Sequence, residues 1–369
     1  MSLPLDGIRI IEVGHMLAGP YCGMLLADLG AEVTKVEPRE GDIGRSIGPH
    51  SIGPHNAYFA SLNRNKKSVV LDLGTAEGQA GLHRLARESH ALLTNLRPSA
   101  IRKLRLTYDD LRTVNPRIVC VALTGYGLEG PFADRPAYDY AIQAMTGVMA
   151  LTGAPDGPPV KTGYSAVDNS AGIMAAVGLL AKIVEGKGGQ VDVAMYDVML
   201  SQLNYIAGAW LNAGERPQRF DQSAHPYIVP AQLFRTRDAW LILFVTHDEF
   251  WRRFAEVAGP PHWLTDPSFA TMHGRRLNRE RVVASIQEVL ERDDTEQWIR
   301  RLAPLGVVVA GIETLERALA SEHVSARDML VEMSTPDGPI RAVGNPIKIA
   351  GATQRMTLPP LLDEHGKRA

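Results

Sequence analysis

The 369 residues are 45% apolar and carry 39 basic against 41 acidic side chains, a formal charge of −2. A chain of this length and composition can bury a sizeable core and suggests about two domains. Interspersed, nearly balanced charge gives no electrostatic case for binding nucleic acid or an acidic membrane surface.

The start, Met1-Ser-Leu-Pro-Leu-Asp6, has neither a basic stretch nor a long apolar run, so no signal peptide is read there. Ile8–Val13 is a short β-rich run that ends at Gly14. A helix is predicted from about Pro20 through Leu29, with Gly30 as its C-cap, and Ala31–Glu37 follows as a strand. The alternation continues with a strand at Ser68–Leu73, a helix near Glu77–Arg87, a strand at Ala91–Thr94, a helix near Tyr108–Asn115 and a strand at Arg117–Leu123. Strands alternating with helices predict a parallel sheet covered on both faces. Cys22 and Cys120 lie in apolar runs and read as buried thiols of a reducing compartment, so the expected location is cytoplasmic. The longest uncharged apolar stretch begins at Ala171 and meets Lys182 too soon to span a bilayer. A turn at Gly186–Gly189, a strand at Gln190–Ala194 and a long amphipathic helix at Tyr196–Asn212 follow. The polar run Arg216–Tyr227 reads as a linker. Beyond it come a strand at Trp240–Val245, helices near Glu249–Ala258, Arg279–Arg292 and Thr295–Ala303, a hairpin turn at Asp337-Gly338 and an extended tail, Gln354–Ala369.

The first strand-to-helix turn, Gly14–Gly19, with Glu37 closing the next strand, is placed like a nucleotide loop with its ribose-binding acid. The spacing Gly14, Gly19, Gly23 is not G-x-G-x-x-G, and packing of a helix on a sheet explains these glycines equally well. His50 and His55 have no acidic or cysteine partner at ligand spacing, so no metal site is read. Ser165 has no histidine nearby in sequence, which argues against a serine hydrolase. Asn95-Leu-Arg-Pro98 and Gly125-Tyr-Gly127 end strands at the edge where open parallel sheets bind ligands. Arg97, Arg102, Lys103 and Arg105 form either the solvated face of a helix or a phosphate cradle. Asp168 is the one acid at the mouth of a small-residue helix. It can be an N-cap or an ionised nucleophile at the helix's positive end, and this stretch by itself favours the cap, because acidic caps are common.

Taken in order, Gly14…Ala18-Gly-Pro20, Leu26–Glu37, Gly41–Arg45, Asn63…Lys66–Leu73, Asn95–Pro98, Asn115-Pro116, Gly125–Gly127, Tyr138-Asp139, Gln143-Ala144, Gly163…Asp168 and Gly186…Gln190–Val193 resemble the class III CoA-transferases. That is the family of formyl-CoA transferase and carnitine CoA-transferase, with α-methylacyl-CoA racemase as a sister group. The likeness is dense to Val193 and thin afterwards, at Pro226-Tyr227 and Gly344–Lys348. The resemblance implies an α/β fold with an open parallel, Rossmann-like sheet in a large domain, residues 1–212 completed by 325–369. It also implies a linker at 213–226, a smaller α+β domain at 227–324 and an interlocked homodimer.

For chemistry, the resemblance implies transfer of coenzyme A from an acyl-CoA thioester to a free carboxylic acid. Coenzyme A and acyl-CoA are then substrates, with no permanently bound cofactor and no metal. Asp168 becomes the catalytic aspartate, passing through a mixed anhydride and an aspartyl-CoA thioester. Leu17, Ala18, Leu71, Asp72, Leu73, Gly74, Asn95, Leu96, Arg97, Lys103, Ala137, Tyr138 and Asp139 correspond to cofactor-binding positions, and Tyr58, Tyr138 and His15 to an acyl pocket. Two basic positions are shifted: Arg39 stands beside Pro38, and Arg135 beside Pro136, where the family has the basic residue. The racemases read Gly-His-Asp where this chain has Ala137-Tyr-Asp139, and tyrosine is a poor proton carrier near neutral pH. A transferase is therefore expected over a racemase, and the intact Asp168 argues against a non-catalytic CoA-binding protein. Val245–Glu249 lacks glycine where some members carry a glycine-rich flap, so exclusion of water is expected to work differently.

Overall fold

The computed structural model describes residues 2–366; Met1 and the final residues of the expected tail, 367–369, lie outside them. The chain divides into two compact units. The first comprises Met1–Val148, Lys161–Gly208 and Glu322–Ala369, and the second Met149–Val160 and Ala209–Ser321.

In the first unit β1 (Arg9–Val13), β2 (Glu32–Glu37), β3 (Lys66–Val70), β4 (Ala91–Thr94), β5 (Val119–Thr124) and β6 (Gly189–Ala194) form one sheet. Its order is β3-β2-β1-β4-β5-β6, and every pairing is parallel. Strands β4 and β5 are buried along their whole length, as continuous apolar runs must be when helices cover both faces. The strand order turns back between β1 and β4, so the crevice outside their carboxyl ends is the topological switch point where such sheets take ligands.

Among the helices of this unit are α1 (Ala18–Asp28), α2 (Ala76–Glu88), α3 (Pro98–Lys103), α4 (Asp139–Met145) and α5 (Ala166–Glu185), and all of these but α2 contribute residues to that crevice. Helix α5 has a mean hydropathy of 1.4, enough by length and composition alone to cross a bilayer. Here its small-residue face, Ala171, Gly172, Ala175 and Leu179, is buried, with Cys22 and Leu26 of α1 in the same core cluster. Both cysteines are buried free thiols.

Local chemistry trims several expected elements. The helix expected near Tyr108–Asn115 is shorter, Tyr108–Leu111, with Thr107 and Asp110 forming a capping box at its start. The helix expected over Tyr196–Asn212 is two, Met195–Gln202 and Asn204–Ala213. Asn204 Oδ1 accepts the Tyr205 N–H at their junction, the kind of local bond by which asparagine competes with a continuous helix. A hairpin pairs Leu330–Met333 with Ile340–Val343 around Gly338 (φ 120°), at the expected turn.

The second unit holds a three-stranded antiparallel sheet of β7 (Ala231–Arg235), β8 (Trp240–Phe244) and β9 (Val308–Gly311), in the order β9-β8-β7. Helices Asp248–Ala258, Arg279–Leu290 and Thr295–Leu302 close a core rich in Trp251, Phe254, Trp263, Phe269 and Trp298. The segment read as a linker is held in place here. Arg219 donates to the carbonyls of Ala150 (2.8 Å), Ala154 (2.9 Å) and Gly157 (2.8 Å), and Gln232 bonds Gln222 at 3.0 Å. Residues 149–160, assigned by sequence to the large domain, therefore belong to this unit.

Candidate active site

The site is built on the loops that leave β1 and β4. Asn95, the first residue after β4, accepts the His15 N–H through Oδ1 (3.0 Å) and donates to the His15 carbonyl through Nδ2 (2.9 Å). A Cβ on Gly14 would lie 2.3 Å from that Oδ1, so glycine is what admits the amide. Met16 is left-handed (φ 64°), and its N–H is held by Asp42 Oδ1 at 3.1 Å.

Beneath this loop lies a buried charge network. Lys35 donates to the Gly14 carbonyl and to Glu12 Oε1, both at 2.9 Å, and pairs with Asp42 at 2.9 Å. Lys66 pairs with Glu12 Oε2 at 2.8 Å. Burial opposes the charge on Lys35, but Glu12 and Asp42 more than offset it and hold its pKa up at about 12. For Lys66 burial outweighs Glu12, and its pKa falls to about 8. Glu37, placed by sequence like a ribose-binding acid, is buried and fully engaged. It takes the Arg45 fork at 2.7 and 2.8 Å and the Ser68 hydroxyl at 2.6 Å. That engagement removes it from any nucleotide-loop role.

The other wall comes from α4 and α5. Asp139, the first residue of α4, is buried, and its Oδ2 accepts the Val167 N–H at 2.9 Å. Its Oδ1 accepts Gln143 Nε2 at 2.6 Å, and Gln143 Oε1 in turn accepts the Thr162 N–H at 3.0 Å. The Val167 N–H is one of the orphan amides of the first turn of α5. Asp139 thus satisfies this amide from another helix, and Asp168, which sequence offered as an N-cap, is instead the third residue of α5, with Ser165 at the N-cap. The Asp168 carboxylate has no hydrogen bond or ion pair among the described residues, and it lies half-buried on the wall of a cavity of about 620 Å³. Burial, with Asp139 second, raises its pKa to about 7. Burial and the neighbouring Asp168 raise Tyr58 to about 12.

That cavity brings together His15, Leu17, Ala18, Tyr58, Asn95, Leu96, Arg97, Arg135, Ala137, Tyr138, Asp139 and Asp168. Other expected residues lie outside its lining. Arg39 is exposed just beyond β2. Leu71, Asp72, Leu73 and Gly74 form the turn from β3 to α2, where Asp72 accepts the Gly74 N–H (3.0 Å) and Leu73 points into the core. Lys103 is exposed at the end of α3. Arg102, a candidate cradle residue, is paired with Asp134 at 2.8 Å. Asn95 lines the cavity, but its amide is committed to His15. Sequence reasoning missed Met16, Leu123, Thr124, Ala133, Tyr140, Ser165 and Met195 as lining. Only Ser165, within the Gly163…Asp168 stretch, carried a local signal.

Arg97 and Arg135 have no carboxylate partner among the described residues, and Arg135 stacks on Phe132 at 4.5 Å. A cavity with two free guanidiniums, several phenols and one uncapped carboxylate suits an anionic ligand that presents an electrophile to Asp168.

The chain matches the model described as CoA-transferase family III over residues 5–366. It is 33% identical over 371 residues to the acetyl-CoA:oxalate CoA-transferase of Acetobacter aceti, covering 98% of this chain and 94% of that protein. It is 36% identical over 380 residues to the succinate–glutarate CoA-transferase of Agrobacterium fabrum, again covering 98% and 94%. A crystal structure of a CAIB/BAIF family protein from Brucella suis superposes with a TM-score of 0.85 at 33% identity, covering 100% of this chain and 98% of that one.

Proposed function

This chain belongs to CoA-transferase family III, and from that premise we propose that it moves coenzyme A from an acyl-CoA thioester to a free carboxylic acid through Asp168. The observation that carries the reading is the Asp168 carboxylate itself: uncapped, unpaired among the described residues, and facing the cavity. A carboxylate raised to about 7 is poorly stabilised by its surroundings, and so more nucleophilic, yet still substantially ionised at neutral pH.

The steps balance without an outside reagent. Asp168 Oδ attacks the thioester carbonyl, the C–S bond breaks, and CoA thiolate leaves a mixed anhydride. The thiolate attacks the aspartyl carbonyl, the C–O bond breaks, and the donor acid departs, leaving an aspartyl-CoA thioester. The acceptor carboxylate attacks that thioester and expels the thiolate. The thiolate then attacks the acceptor's acyl carbon and restores the Asp168 carboxylate. Exchange between two carboxylic acids is nearly isoenergetic, so the enzyme supplies only a covalent relay and an oriented site.

The named relatives act on oxalate, succinate and glutarate, which supports a dicarboxylic acid for at least one partner. His15, Tyr58 and Tyr138 line the cavity and would supply polar groups for its distal carboxylate, and the Arg97 and Arg135 guanidiniums in the same lining would take the phosphates of coenzyme A. Arg39, Leu71–Gly74 and Lys103 follow β2 and β3 or end α3, and would reach only the nucleotide end of the same ligand. Exposed Ile173, Met174 and Val177 on α5 support burial against a second copy, which light scattering of the purified chain tests.

Incubation with succinyl-CoA, then hydroxylamine and mass spectrometry, should yield a hydroxamate on the peptide carrying Asp168. No adduct in the wild type, or one that survives in Asp168→Ala, would defeat the assignment.

A further inference from the structure

A second cavity, of about 320 Å³, lies at the opposite edge of the sheet, around the amino ends of β1, β4 and β5. Arg9, Arg87, Arg117, Lys182 and Lys187 line it, with His90 between β4 and the end of α2. The chain as a whole has a net charge of −2, so this basic concentration is local. Carboxylates answer only part of it: Glu88 pairs with Arg9 at 3.4 Å, and Glu185 with Lys182 and, at 3.7 Å, with Lys187. Arg87 and Arg117 are exposed and have no carboxylate partner among the described residues.

Helix dipoles account for some of this. Basic groups suit the carboxyl ends of helices, which explains Arg87 on α2 and Lys182 on α5. They do not explain Arg9 and Arg117, which stand at or just before the starts of strands. His90 reports how closely these charges converge: burial, then Arg9 and Arg117, pull its pKa below the ordinary value. Its Nδ1 accepts the Arg9 N–H at 3.1 Å, so the ring proton sits on Nε2 as a free donor.

We propose that this pocket binds a small diphosphate-bearing anion, with the Arg87 and Arg117 forks on its phosphate oxygens and His90 Nε2–H as a further donor. Guanidinium forks match phosphate oxygens in pairs. The volume falls at the small end of ligand pockets, and the only large apolar side chains in the lining are Val119 and Ile183, which disfavours an acyl chain. The site shares no lining residue with the Asp168 cavity, so it stands or falls apart from the transferase reading.

Calorimetric titration of the full chain with inorganic pyrophosphate tests it, with ADP as a parallel arm that separates a nucleotide source from a free inorganic one. Arg97→Ala/Arg135→Ala protein, stripped of guanidiniums in the other cavity, should still bind pyrophosphate. Arg87→Ala/Arg117→Ala should weaken binding by at least about a hundredfold, because two charge-assisted contacts are lost, each worth about tenfold or more. Arg87→Lys/Arg117→Lys, which keeps the charge but not the fork, should fall between. An unchanged thermal midpoint without ligand shows that the variants fold. Wild-type protein that binds neither ligand, or alanine variants that bind as tightly as wild type, would overturn the proposal.

Discussion

Asp168→Asn should abolish transfer and at the same time stabilise the protein at pH 8. In the folded chain Asp168 titrates near about 7, against an ordinary value of 3.8. The unfolded chain loses its proton first, so between these values the native state binds more protons, and stability falls as pH rises. The penalty is absent below about 4 and complete above about 7. In a dry site the difference corresponds to about 4 kcal/mol. Asp168 is only half-buried on the wall of an open cavity, and screening reduces this to about 1–2 kcal/mol. At about 2–4 °C per kcal/mol, the variant should melt a few degrees higher at pH 8. Thermal unfolding of both proteins from pH 4.5 to 8 should show the gap opening as pH rises. If the variant is no more stable at pH 8, or the gap is constant with pH, then the carboxylate is not desolvated and the account of its reactivity fails.

Asp139→Asn keeps an oxygen for the Val167 N–H and removes the second charge, so the acidic limb of the kcat/KM profile should move to lower pH; an unmoved limb would exclude Asp139 as a source of the raised value. Gly23→Ala would put a Cβ 2.0 Å from Glu12 Oε2, which the buried Lys35 and Lys66 hold in place. Urea titration should register a loss of about 2–4 kcal/mol. Asn95→Ala removes both bonds to the His15 backbone and should cost about 1–3 kcal/mol by the same assay. Asn95→Asp, which still accepts but cannot donate, should recover only part of that.

Periodicity alone carried the βαβ alternation, since buried strands must be apolar and helices must present an apolar stripe. It also carried the loops at the carboxyl ends of β1, β4 and β5, because turn residues mark them wherever the strands end. Asp168 was legible as an acid in the first turn of a helix, but its role was not. That depended on where the helix starts, which puts Ser165 at the N-cap and Asp168 at the third position, and on Asp139, 28 positions before Val167, taking the Val167 amide. Glu37 similarly lost its nucleotide reading to Ser68, 31 residues away, and to the Arg45 fork. Residues 149–160 joined the second unit through Arg219, between 61 and 69 positions along. A local pattern states which groups need partners, while the competition for those partners is decided between residues far apart in the chain. Only the folded structure brings those competitors within hydrogen-bonding distance.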